Sequence, residues 1–256
     1  MGTVPLVAQM VALGLCLWAE SFFPLFMDRK GKMRLVHVLR NVTIGLVNGA
    51  VLTLGFSWLI ASSVEWGKLH QFGLLDALNL SPGTEQITGF IAFDLWMYLW
   101  HRANHRMPFL WRFHRVHHSD PMLDTSSALR FHVGEMVISA FLRLLVIPLL
   151  GISLRDLVLY EIVLEPVILF HHSNIALPEM FDRWMRLLVV SPNMHRVHHS
   201  DVPEETNSNY ASIFSFWDRL GRTYRQRENL SLRYGLKELR DPALLTLRGL
   251  LLQPLA

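Results

Sequence analysis

The chain contains 256 residues, of which 51% are hydrophobic and 18% are charged, and its formal net charge is +3. A mean hydropathy of +0.27 is high for a soluble protein and favours a surface that faces lipid. The single cysteine, Cys16, excludes a disulfide within the chain and any cysteine-based zinc or iron–sulfur site. Because the lysines and arginines gather at the edges of apolar segments, the small positive charge indicates membrane topology and no nucleic-acid partner.

The first part of the chain contains two apolar runs, 4–26 and 36–62, that are each long enough to cross a bilayer. By the positive-inside rule, the basic cluster that follows the first run is expected in the cytoplasm. Its members are Arg29, Lys30, Lys32 and Arg34. The segment 63–85 has Lys68 as its only lysine or arginine, so it is expected on the opposite side of the membrane.

A third run, 87–100, follows a chain break at 81–84 and is expected to return to the cytoplasmic side. Two shorter stretches, 135–150 and 154–172, barely reach across the ~30 Å bilayer core at a helical rise of about 1.5 Å per residue. These two stretches could form either a tilted pair of helices that cross the membrane or a re-entrant hairpin. The predicted fold is all-α: a polytopic membrane helix bundle with about three full spans, a short helical hairpin and a cytoplasmic helical cap.

Histidines are concentrated in four places along the chain. These are His101 and His105; His114, His117 and His118; His171 and His172; and His195, His198 and His199. Residues three and four apart share one face of a helix, so each H-x-x-x-H or H-x-x-H-H cluster presents its imidazoles together. The three larger clusters supply more ligands than one ion can take, and neutral imidazole suits iron, zinc, copper and nickel. The sequence therefore predicts two metal ions at the cytoplasmic ends of the apolar segments.

Carboxylates near the clusters are candidates to support the ligands. Asp94 lies on one helical stripe with His101 and is expected to accept a hydrogen bond from an imidazole; a helix–helix hydrogen bond is the alternative. Glu165 lies on a similar stripe below His172, either near the metals or near the membrane interface. The stripe also favours His172 over its neighbour as a ligand.

His132 and Glu135, which are three residues apart, are open to several interpretations. They could supply one more ligand, an anchor for a ligand, or an ordinary pair at a helix start. The isolated His37 and His70 are expected to be ordinary hydrogen-bonded histidines.

The region 90–225 resembles the fatty acid hydroxylase / sterol desaturase superfamily of integral-membrane di-iron oxygenases. The resemblance rests on the histidine clusters and on four further motifs in the family's order. These are Asp94-Leu-Trp-Met-Tyr98, Ala128-Leu-Arg-Phe-His132-Val-Gly-Glu135, His172-Ser-Asn174, and the tail from Asn209 to Leu220 with its Asn-Tyr and Trp-Asp-Arg-Leu. Two departures are His-His-Ser-Asn in the middle cluster and Gly221-Arg222-Thr223, where the family usually has Phe-Gly-Thr.

The resemblance implies a cytoplasm-facing site in which two iron ions use O2 to hydroxylate or desaturate an apolar lipid. Its ligands would be His101, His105, His114, His117, His118, His172, His195, His198 and His199. Asp94, Glu165 and Asn174 are expected as further residues of the catalytic site. Electrons must come from a separate electron-transfer protein, and zinc is a conceivable substitute for iron in purified protein.

The resemblance also divides the chain into three segments. Residues 1–86 would be N-terminal transmembrane helices, and 87–225 the catalytic domain. Residues 226–256 would be an amphipathic tail that lies on the membrane or packs back on the bundle, with Asp241-Pro242 as a helix start.

Two other functions use similar residues. A zinc metallohydrolase also binds its ion through histidine, but no glutamate stands in an H-E-x-x-H arrangement here. A non-enzymatic membrane protein that carries metal or haem would have histidines deep within its spans, whereas these stand at span ends. The sequence therefore favours the oxygenase.

Overall fold

The structure is a computed structural model that describes residues 3–27 and 31–255. Within these ranges the chain is helical, and β-structure is limited to three isolated bridges, which confirms the all-α prediction for the described residues. The α-helices are α1 (Thr3–Phe22), α2 (Lys32–Leu69), α3 (Leu74–Leu78), α4 (Pro82–Arg106), α5 (Pro108–His118), α6 (Val133–Leu150), α7 (Leu154–His171), α8 (Glu179–Met185), α9 (Pro192–His198), α10 (Pro203–Thr206), α11 (Phe216–Leu220) and α12 (Leu247–Leu252). Short 3-10 helices lie at Thr125–Leu129, Asn229–Ser231, Lys237–Leu239, Pro242–Leu245 and Gln253–Leu255.

Three helical segments are long and apolar enough to cross a membrane, namely Val4–Phe22, Lys32–Leu78 and Val133–Leu150. The number agrees with the predicted three spans, but the third member differs. The run 87–100 lies in α4, which does not qualify because polar residues flank the run and Asp94 interrupts it. The first limb of the predicted hairpin, α6, qualifies in its place.

The long helices pack in pairs, α2 along α6 and α1 along α7. Phe93 of α4, Ile147 of α6 and Tyr160 of α7 are buried in the core between them. The outward faces remain apolar, and Leu54 of α2 is 88% exposed. Such faces are typical of helices that contact lipid, because exposing so much apolar surface to water would be unfavourable.

The C-terminal tail packs back on the bundle. Leu250 is buried against Ile44 of α2 and Val116 of α5, and the side-chain amide of Gln253 donates to the Ser119 hydroxyl. Asp241 caps only a short 3-10 helix, where its carboxylate accepts from the Ala243 amide. The cytoplasmic position of this end of the bundle stays a prediction, and Arg29 and Lys30 of the basic cluster lie outside the described residues.

The end of α1 is tied to two loops of the later chain by Glu20, which is 1% exposed. One carboxylate oxygen accepts from the backbone and hydroxyl of Thr125 and from the backbone of Asn174, each at 2.7 Å. The other oxygen pairs with Arg34 at 3.0 Å. Glu20 therefore joins the end of α1 to the segments that follow His118 and His172.

We expect Glu20→Ala to destabilise the fold by about 3 kcal/mol, because it leaves two buried backbone N–H groups without an acceptor. The melting temperature in detergent should fall by roughly 6 to 12 °C, since 1 kcal/mol shifts a chain of this size by about 2 to 4 °C. The exposed Glu204→Ala is the matched control. Equal melting temperatures for the two variants would show that this network does not stabilise the bundle.

Candidate metal centre

The nine histidines proposed as ligands come together in two groups on the described part of the chain. Within each group the available ring nitrogens lie within 4.8 Å of one another. The first group contains His101, His105, His114, His118 and His198. The second contains His117, His172, His195 and His199.

Four helix ends bring these residues together. The end of α4 supplies His101 and His105, and α5 follows at once, started by Pro108 at its first position. The end of α7 supplies His172. Helix α9 starts at a Ser-Pro pair, in which the Ser191 hydroxyl accepts from the Met194 amide.

The geometry at His101 and His198 points to a cation between them. Nδ1 of His101 bonds to the carbonyl of Tyr210 at 2.8 Å, and Nδ1 of His198 to the carbonyl of Ser208 at 2.6 Å. A carbonyl only accepts, so both rings carry their proton on Nδ1 and a lone pair on Nε2. These Nε2 atoms face each other at 3.0 Å, where two lone pairs repel unless they share a cation.

The second group has the same close spacing. The Nε2 atom of His172 lies 3.1 Å from Nε2 of His117 and 3.0 Å from Nε2 of His195. The Nε2 atoms of His195 and His199 are 3.1 Å apart. Two nitrogens bound about 2.1 Å from one ion at a right angle are about 3.0 Å apart. The spacing of the four rings therefore fits one ion.

The surroundings keep these imidazoles neutral, which is the form that binds metal. Burial, together with neighbouring imidazoles, lowers the pKa well below the ordinary value for His105, His117, His118, His195, His198 and His199. Both ring nitrogens of His105 and of His118 are buried without a hydrogen-bond partner. Because unpartnered buried nitrogens are unfavourable, this donor set fits bound metal better than an empty core.

Glu135 anchors one ligand. Its Oε1 accepts from Nδ1 of His114 at 2.8 Å, which leaves Nε2 of His114 for the first group. Glu135 is 4% exposed, and its second oxygen has no partner among the described atoms. Of the interpretations open for Glu135, the structure shows the anchor.

Asp94 does not contact a histidine in the described structure. It accepts from the Tyr160 hydroxyl at 2.7 Å, the Trp217 indole at 2.9 Å and the Phe214 amide at 3.1 Å. The structure therefore shows helix–helix hydrogen bonds, which join α4 to α7 and α11, in place of the expected hydrogen bond from an imidazole. Asp94 therefore holds the scaffold of the site.

Glu165 and Asn174 also make contacts away from the imidazoles. Glu165 accepts from the side-chain amide of Gln9 at 2.7 Å and so joins α7 to α1. The Asn174 side chain exchanges two hydrogen bonds with the backbone of Phe26, both at 3.2 Å. A role for either residue in catalysis stays a prediction.

The remaining histidines lie outside both groups on the described chain. His132 caps α6 by accepting from the Gly134 amide, and His171 packs its ring 4.0 Å from that of His195. His37 pairs with Asp120, and His70 bonds to a backbone carbonyl, so both are hydrogen-bonded as expected.

Comparison with known families places these residues in context. The model of the fatty acid hydroxylase family matches residues 86–223, more than half of the chain. The chain belongs to the fatty acid hydroxylase family. All nine clustered histidines, Glu135 and Asp94 lie within the matched segment.

Several relatives share part of this segment. An ornithine lipid hydroxylase of Rhizobium tropici is 31% identical over 138 residues, which are 54% of this chain and 41% of the relative. An alkylglycerol monooxygenase of Danio rerio is 30% identical over 57% of this chain and 32% of its own length, and a human cholesterol 25-hydroxylase is 27% identical over 53% and 49%. The match thus spans a third to a half of these relatives. No solved structure matches the chain.

The departure from the family's usual Phe-Gly-Thr has a structural counterpart. Arg222 has a φ of +56°, a conformation that favours glycine, and it stands where the family usually has glycine. A Cβ atom at Gly221 would overlap the Tyr98 hydroxyl, so the family's phenylalanine does not fit this packing. Thr223 is kept, and its hydroxyl bonds to that of Tyr98 at 3.0 Å.

Removing the Glu135 carboxylate should weaken metal binding at the first group. We expect Glu135→Ala to lower the affinity by roughly 10- to 100-fold, because His114 loses the acceptor that fixes its ring. Glu135→Gln should retain most of the affinity, since its amide oxygen can accept the same N–H. Competition titrations with a chelator measure the change, and an affinity in Glu135→Ala equal to that of Glu204→Ala would contradict the anchor.

His198 and His199 are adjacent in sequence but belong to different groups. His198→Ala and His199→Ala should therefore each weaken binding of a different ion, and the double variant should weaken both. Metal analysis of folded protein after dialysis against a chelator tests this, with the exposed His70→Ala as control. Loss of all metal in either single variant would indicate one shared site.

Proposed function

We propose that this protein is a membrane-embedded di-iron oxygenase that hydroxylates an apolar lipid with O2 and electrons from a separate donor. The observation that supports it most is the 3.0 Å distance between the Nε2 atoms of His101 and His198, which lie in the first of the two histidine groups. Two groups imply two ions, and their all-imidazole donor set suits iron.

The residues of the chain would position the ions and keep the site dry. Nδ1 contacts to the carbonyls of Tyr210, Ser208 and Ile168 and to Glu135 fix four of the rings. Bound iron would supply the activation of O2 and the oxidation of a C–H bond. The ring of Phe131 stacks on His117 at 4.3 Å and adds apolar cover, which limits access of water.

The overall reaction balances with two external electrons. One oxygen atom enters the C–H bond to give an alcohol, and the other leaves as water after taking two protons and two electrons. Imidazole side chains do not act as reductants, so a separate redox protein would have to reduce the site. The apolar faces of α1, α2 and α6 would allow a lipid to approach from the bilayer.

The names of the relatives favour hydroxylation over desaturation. They are a lipid hydroxylase, a monooxygenase and a cholesterol hydroxylase, all of which act on apolar or amphiphilic molecules. Desaturation starts from the same C–H bond and is the second candidate.

The decisive experiment measures labelled oxygen in lipids. The full chain is expressed in a heterologous host under 18O2 with a competent reductase, and lipids are compared with those of cells that produce His118→Ala. We expect products heavier by one 18O atom only with the intact protein, because His118→Ala removes a ligand nitrogen from the first group.

Other outcomes point elsewhere. Products lighter by two hydrogens and free of label would indicate desaturation. Identical lipid profiles for the intact protein and His118→Ala would contradict the oxygenase, provided that His70→Ala matches the intact protein. Zinc alone in protein from iron-replete cells would favour a metallohydrolase, and a haem Soret band would favour a carrier.

A further inference from the structure

A cavity of about 360 Å³ lies away from the histidine groups, between the start of α2, the loop after α5 and the C-terminal tail. Its volume falls in the range of about 300 to 1,000 Å³ that is usual for small-ligand sites. Met33, Val36, Met122 and Leu245 give it apolar walls. It opens to the surface, since Met33 is 70% and Val36 is 44% exposed.

Basic residues predominate among the charged groups that line this cavity. Lys32, Arg40 and Arg130 contribute three cations, and Asp120 is the acid among the lining residues. Asp120 is already paired with His37 at 2.8 Å, and it also accepts from the Ser127 hydroxyl at 2.6 Å. The cavity therefore has an excess of positive charge, which favours an anionic ligand.

The position along α2 places this cavity at the membrane surface. Helix α2 has 38 residues, so at about 1.5 Å per residue it is roughly 57 Å long, well beyond the ~30 Å bilayer core. The most apolar part of α2 begins after Asn41. Lys32 and Arg40 therefore precede the most apolar part of α2, where lipid headgroups are expected.

We propose that this cavity binds the phosphate-bearing headgroup of an anionic membrane lipid. Lys32 and Arg40 would pair with the phosphate, and Met33, Val36 and Leu245 would contact the start of the acyl chains. Basic pockets beside membrane helices bind such headgroups through charge, while apolar walls exclude a fully hydrated free anion. The inference does not depend on the oxygenase activity, because none of these residues belongs to the histidine groups.

Buried residues that line this cavity also contact the end of α5, which carries three of the proposed ligands. Arg130, which is 1% exposed, donates to the carbonyl of Val116 and to the hydroxyl of Ser119 at the end of α5. Asp120 follows His118 by two residues. A bound lipid would therefore stabilise the segment that carries three of the proposed ligands.

Lipid binding to the purified full chain in a neutral maltoside detergent tests the proposal. Native mass spectrometry gives the affinities for dioctanoyl phosphatidic acid and dioctanoyl phosphatidylcholine. We expect the anionic lipid to bind at least about tenfold more tightly, and Lys32→Gln/Arg40→Gln to lose about tenfold in affinity for it. Arg155→Gln, an exposed cation at the far end of the bundle, should bind as the unchanged protein does.

Two further variants separate charge from folding. Arg40 also donates to the Leu245 carbonyl, so Arg40→Gln can disturb the tail, whereas Lys32 is exposed and Lys32→Gln alone should still lower the affinity severalfold. Arg40→Lys keeps the charge and should retain binding. Equal affinity for both lipids, or unchanged binding by the double variant and by Lys32→Gln, would overturn the proposal. Displacement of the lipid by equimolar inorganic phosphate would overturn it in favour of a free-anion site.

Discussion

The structure depends on bringing nine imidazoles into one largely buried volume. A buried nitrogen lone pair without a partner is unfavourable by about 1 to 3 kcal/mol, and here several such lone pairs face one another. At His101 and His198 carbonyl acceptors fix the proton of each ring on Nδ1, and burial lowers the pKa of both rings well below its ordinary value, which disfavours an added proton between their Nε2 atoms. Bound cations would relieve this repulsion, and metal binding would then contribute to the stability of the folded chain.

The rest of the molecule holds the four segments that carry these rings. Asp94 joins α4 to α7 and α11, and Glu20 joins α1 to the loops after α5 and α7. Arg130 and Asp120 fix the end of α5 from the side of α2. These buried polar residues lie one layer outside the imidazoles, and each bridges elements that are distant in sequence, so they act through position rather than through contact with the ions.

The sequence predicted the parts of this arrangement that depend on local spacing. Residues three and four apart must share a helix face, so the histidine clusters could be recognised without a structure. The acceptors of the Nδ1 protons were not predictable, because the carbonyls of Tyr210 and Ser208 leave no trace in residue type. The helical stripe that Asp94 shares with His101 predicts an imidazole partner, whereas tertiary packing turns the carboxylate toward Tyr160. The sequence predicts the number of long apolar segments but places the third at 87–100, whereas the third helix that is long and apolar enough to span is Val133–Leu150.

The repeated H-x-x-H-H clusters show how the proposed two ions would be held side by side. In α5, His114 and His118 belong to the first group, which has five histidines, and His117 belongs to the second group. At the end of α9 the assignment is reversed. His195 and His199 belong to the second group, which has four histidines, and His198 belongs to the first. Each of these clusters would thus bind one ion with an i, i+4 pair and the second ion with the histidine between them. Because neither helix can shift along its axis without moving histidines of both groups, this arrangement would fix the separation of two bound ions more firmly than independent sites would.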